Sequence, residues 1–153
     1  MASPLKPTPT LNLSFGHLSS ELLAIIFEQL RDVDSHSLES VRLASRRFDA
    51  IATPIVYQLL TLNERLVAPD AHHRYPTTFR HISVHTNHVV VPSNLDPEGI
   101  TRIILGIQRL ASIRWRFVVG DSHAAGIWLP SDVLNSSHKR LGGTKLHVEN
   151  LPL

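Results

Sequence analysis

The chain has 153 residues, 42% of them hydrophobic and 18% charged, which suits one compact domain or two small modules and excludes a large multidomain enzyme. Fifteen Lys and Arg nearly balance thirteen Asp and Glu, for a net charge of +2, so no nucleic-acid role is expected even with an isoelectric point near 9.4. Cysteine is absent, which excludes disulfides and thiolate metal sites and points to a cytoplasmic or nuclear setting.

Residues 1–13 carry Pro4, Pro7 and Pro9 among Ser, Thr and Lys, so neither a helix nor a strand ladder is expected there, and they read as a disordered leader. They lack the cationic start and apolar core of a secretory signal, and no later apolar run is long enough to span a bilayer, so no membrane is expected. From Leu18 the pattern turns helical. Leu22, Leu23, Ile26, Phe27 and Leu30 share one broad face, with Ser19 as N-cap and Glu21 in the first turn. The polar stretch Arg31 to Ser37 should break this helix. A second should start near Ser37 with Leu38, Val41 and Ala44 inward, and a third segment carries Phe48 and Ile51. Thr53 and Pro54 look like a cap and first helical position, restarting a helix through Ile55, Leu59 and Leu62.

Residues 63–78 hold Pro69, Asp70, His72, His73 and Pro76 and read as a linker. Ile82 and Val84 alternate with His81, Ser83 and His85, which predicts a half-buried strand. Asp96, Pro97 and Glu98 open a helix carrying Ile100, Ile103, Ile104, Ile107, Leu110 and Ala111. Trp115, Phe117 and Val119 predict a second strand, residues 130–141 a shorter helix, and Lys145 to Val148 a third strand with Leu146 and Val148 inward. Ile82, Trp115 and Leu146 recur at an interval of about 30 residues, the signature of a strand and helix solenoid with parallel neighbours. The expected fold is therefore α plus α/β: a helical module over residues 14–62 and a partial repeat region over residues 79–153.

Leu18, Glu21, Leu22, Leu23, Ile26, Phe27 and Leu30, followed by Leu38, Val41, Leu43, Ser45, Arg46 and Phe48, resemble the F-box, the helical module that docks on the Skp adaptor of cullin-based ubiquitin ligases. Ser19 stands where that family usually has Pro, Ala44 where it usually has Val, and Phe48 where many members have Trp. The stretch Ala50 to Leu62, with Pro54 and Tyr57, is similar to fungal members, and the downstream pattern resembles leucine-rich-repeat-like regions. The resemblance implies a three-helix fold and a non-catalytic specificity subunit that binds the Skp adaptor and, through it, cullin. It implies adaptor contacts at Leu18, Leu22, Ile26, Leu30, Leu38, Val41 and Phe48, an unidentified protein substrate, and no cofactor. The plain alternative is that these leucines only hold three helices together, yet the first helix is apolar over more of its circumference than two short partners require.

Two other chemistries are suggested by the residues. Val118 to Gly126 looks like the nucleophile turn of SGNH or GDSL esterases, with Ser122 as nucleophile and Gly120 as oxyanion donor. A hydrolase needs a base held by a carboxylate, and Asp132 and His138 lack the spacing of that family's base block, so a loop after a strand is expected instead. The ten His residues show no ligand spacing for a metal, and Gly142 and Gly143 read as a helix stop. A truncated, non-functional F-box fragment is the remaining alternative.

Overall fold

The structure is a computed structural model and describes residues 17–118 and 145–150. Helix α1 (Ser20–Val33) starts where the Ser19 hydroxyl accepts the Leu22 N–H at 3.3 Å. It runs past the expected break at Arg31, because Asp34 does two jobs. Its backbone N–H reaches the Leu30 carbonyl at 2.7 Å, while its carboxylate accepts the N–H groups of His36 and Ser37 and caps α2 (Ser35–Arg42). One capping residue thus replaces the expected loop.

Ser45 caps α3 (Arg46–Gln58) by accepting the Phe48 N–H at 3.1 Å. The expected restart at Thr53 does not occur. Pro54 sits inside a continuous helix, and the Thr53 hydroxyl bonds back to Asp49 Oδ1 at 2.9 Å instead of capping a new one. Leu23, Phe27, Leu38, Ala52 and Ile55 form the buried centre of these three helices, ringed by Leu18, Leu30, Val41, Phe48 and Ile51.

At Leu59 the helix gives way to strand β1 (Leu59–Thr61), so the expected helical run to Leu62 is corrected: Leu60 and Leu62 are buried by strand parity while Leu59 is half exposed. The expected linker over residues 63–78 contains α4 (Glu64–Val67), α5 (Ala71–Arg74) and the start of α6 (Pro76–His85). Helix α6 also overturns the strand expected around Ile82 and Val84. Ile82 is 2% exposed and Val84 45%, so the two do not share a face, and Pro76 opens a helix as a first-turn proline commonly does. The strand lies further on, at β2 (His88–Pro92), where Val89, Val90 and Val91 are all buried. A strand covered on both faces shows no alternation.

Helix α7 (Pro97–Gly106) begins as expected, with Asp96 Oδ2 accepting the Gly99 N–H at 2.7 Å. It ends before Ile107 and Leu110, which stay buried in the turn to β3 (Ser112–Phe117). With β4 (Lys145–Asn150) the described residues hold seven helices and one sheet of order β1-β2-β3-β4, every neighbouring pair parallel. Asn87 ties the layers together: its N–H reaches the Gln58 carbonyl at 3.0 Å, and its own carbonyl accepts from Ala111 at 2.7 Å. The buried Thr86 hydroxyl donates to the Tyr57 carbonyl at 2.8 Å, which satisfies a group that burial would otherwise penalise.

The register aligns Leu60, Val89, Ile113 and Leu146 in one row, and Val91, Trp115 and Val148 in the next. Trp115 therefore pairs with Val148, two positions beyond the expected Leu146. The rows are buried at Val89, Val91, Ile113 and Trp115, each 1% exposed or less, but Leu146 and Val148 are 44% and 50% exposed. Their phase is the expected core phase, whereas their burial is not: no described element lies beneath β4. Helix α7, with Ile100, Ile103 and Ile104, covers the other strands from that side.

Candidate protein-binding surface

Helix α1 carries two apolar faces. At 100° per residue, Leu23 and Phe27 point to one side and Leu22, Ile25, Ile26 and Val33 to another. The first pair is spent on the helical core, at 0% and 3% exposure, while Leu22, Ile25 and Ile26 remain 51%, 56% and 39% exposed. Val33 extends the stripe to the end of the helix, and Leu43, in the turn after α2, is also open to solvent.

Of the seven expected contact residues, only Leu22 and Ile26 are exposed. Leu38 is 1% exposed and belongs to the core, so its side chain offers nothing to a partner. Leu18, Leu30, Val41 and Phe48 are half-buried against that core, and the Phe48 ring meets Phe27 edge-on at 5.5 Å between centroids. The exposed stripe includes Ile25 and Val33, which the expected set omits. Extending the helical period one further turn, past the charged pair at Arg31 and Asp32, would have found Val33.

Polar groups fix the frame of this stripe. Arg47 donates to the Leu18 carbonyl and ties the start of α3 to the entry of α1. Arg31 pairs with Asp32 at 3.0 Å and donates to Gln58 Oε1 at 2.7 Å, joining the end of α1 to that of α3. Its own backbone and the Ser19 hydroxyl hold the Glu21 carboxyl below the usual carboxylate range, and hydrogen bonds from Ser37 do the same for Asp34.

A cleft of about 990 Å³ is lined by residues of these helices together with β1 and α6, with Arg31, His36, Arg42, Tyr57 and Thr61 on its walls. The Tyr57 ring there receives the Arg42 guanidinium at 5.4 Å and the His81 ring at 5.2 Å. His81 and His85 stack at 5.9 Å along α6, and His72 and His73 lie 3.9 Å apart. Among the described residues no three His, Asp or Glu side chains gather as a bound cation would require. The basic residues are dispersed: Arg42 pairs with Asp49 at 3.0 Å on the helical module, and Arg114 with Glu149 at 3.2 Å on the sheet. Gly120, Ser122, Asp132, His138, Gly142 and Gly143 lie outside the described residues, as do the leader over residues 1–13 and the helix expected over residues 130–141. No described helix is long and apolar enough to cross a membrane. No family model, curated protein or solved structure matches the chain.

Proposed function

We propose that the chain is a non-catalytic substrate-recognition subunit of an SCF-type ubiquitin ligase, docking on the Skp adaptor through an F-box formed by α1, α2 and α3. One observation carries the reading: Leu22, Ile25 and Ile26 stand exposed within a single turn of a helix whose opposite side already fills its own core. Covering them would contribute about 1 kcal/mol each, since each is already about half-covered. Contiguous exposed apolar surface of this kind marks a protein-binding face more readily than a folding requirement. In this reading Leu38 and Phe48 shape the module and Leu22 and Ile26 make the contact.

Four parallel strands in sequence order, the first three joined through helices, support reading the rest as a short solenoid that presents a protein substrate. The chain then supplies proximity: it holds the substrate near ubiquitin activated elsewhere in the ligase, in the cytoplasm or nucleus. Co-expression with the Skp adaptor tests this. The wild-type chain is expected to co-purify with the adaptor, and a chain carrying Leu22→Asp and Ile26→Asp to emerge alone and folded. Failure of the wild type to co-purify overturns the assignment.

A further inference from the structure

Among the described residues, strand β4 is the edge of the sheet opposite the one that α3 feeds, and the side that it turns away from β3 is self-complementary. The Lys145 N–H bonds the Ala111 carbonyl at 3.0 Å, so Lys145, His147 and Glu149 turn their backbone groups toward β3. Alternation then directs those of Leu146 and Val148 outward. Their side chains continue the buried rows of Ile113 and Trp115 yet remain about half exposed. An edge whose outward backbone groups meet no partner among the described residues, beside an apolar row, is a template for another strand.

The sequence of β4 selects which strand. Laid antiparallel against a copy of itself about His147, Lys-Leu-His-Val-Glu sets Lys145 opposite the copy's Glu149 and Leu146 opposite the copy's Val148. Leu146 and Val148 are the residues whose backbone groups point outward, so both become hydrogen-bonded pairs while His147 faces its own copy across the axis in a non-bonded pair. Shifting the register by two residues keeps the bonding phase but sets Lys145 against His147, or Leu146 against Asn150, and both charge pairs are lost. A twofold axis makes the same strand serve both sides. We propose that the chain forms a homodimer through β4, with the two four-stranded sheets continuous across an antiparallel junction. The row Ile113–Leu146 then runs on into the copy's Val148 and Trp115, covering the open end of the apolar layer. Glu149, held at 3.2 Å by Arg114 of its own chain, gains Lys145 of the copy as a second cation.

Light scattering on the eluting full chain tests this, with two charge reversals. Wild type is expected to be dimeric. Lys145→Glu places Glu opposite Glu at both ends of the junction, and Glu149→Lys places Lys opposite Lys, so each variant alone should dimerise at least about tenfold more weakly. An equimolar mixture restores both attractive pairs, so it should form a heterodimer. That recovery also shows that neither variant failed to fold. A wild-type chain that is monomeric up to roughly 100 µM, reversals that leave the dimer intact, or a mixture that does not reassociate would each overturn the proposal.

Discussion

Phe27 and Phe48 meet edge to face, their ring centroids 5.5 Å apart and their planes at 80°. This pair joins α1 to α3, and Phe27 is 3% exposed, so these rings act on stability first and on any partner only through it. Phe27→Ala is expected to cost about 3–5 kcal/mol and Phe48→Ala less, because Phe48 is only half-buried. A double-mutant cycle should return a coupling of about 0.5–1.5 kcal/mol; chemical denaturation measures it, and additive losses would contradict the contact.

Gly99 is expected to resist the substitution that usually strengthens a helix. A Cβ there would lie 2.2 Å from the Val67 carbonyl oxygen and 2.6 Å from Val67 Cβ, and that carbonyl is also held by Arg102 at 2.8 Å. Helix propensity favours Ala over Gly by about 1 kcal/mol, whereas overpacking costs about 1–3 kcal/mol. A backbone carbonyl fixed by a guanidinium yields little, so Gly99→Ala should lower the denaturation midpoint. Gly106→Ala, with nothing within 4 Å of its Cβ, should leave the midpoint unchanged or raise it.

Trp115 is 1% exposed in the row between Val91 and Val148. Trp115→Ala is therefore expected to cost about 3–5 kcal/mol. Its buried Nε1 has no hydrogen-bond partner among the described residues, so Trp115→Phe forfeits ring area but no polar contact there and should cost clearly less. Equal losses for the two variants by urea titration would contradict this placement.

His81 gives stability a pH dependence of definite sign. Burial first, then Arg42 and His85, holds its imidazole below the usual histidine range, with Asp49 opposing and Arg80 adding to the effect. The unfolded chain, titrating near about 6.5, then binds more protons than the folded one as pH falls through that value toward the folded pKa. Stability is lost across this window on acidification and is flat above it. His81→Phe retains a ring against Tyr57 and should flatten the wild-type decline below about pH 6.5. Parallel curves for the two proteins would contradict the assignment.

What could be read from sequence was decided by whether one signal acted alone. Ser19 and Asp96 cap helices because a short acceptor precedes a helical apolar period, and Trp115 is buried because Ile113 and Trp115 alternate with arginines. Competing patterns misled elsewhere. Ile82 and Val84 alternate like a strand but lie within a helix that Pro76 starts. Three consecutive valines in β2 match neither period, because both faces of that strand are covered. Leu59 and Leu62 keep helical spacing with Ile55 although the chain has already become extended at Leu59. At the candidate surface, the apolar width of α1 was legible, but which leucines face outward was not. Leu22 and Leu23 differ by one position in sequence and by 51% against 0% in exposure, and only the packing of α2 and α3 decides between them.

Calorimetric titration of the Skp adaptor into the full chain tests the docking of α1 most directly. Binding in the micromolar range or tighter is expected for wild type and for Leu146→Asp, which alters only the β4 edge, and no binding for the folded Leu22→Asp, Ile26→Asp chain. An adaptor that gives no heat with the wild-type chain, or binds the doubly substituted chain equally well, would contradict the proposed function.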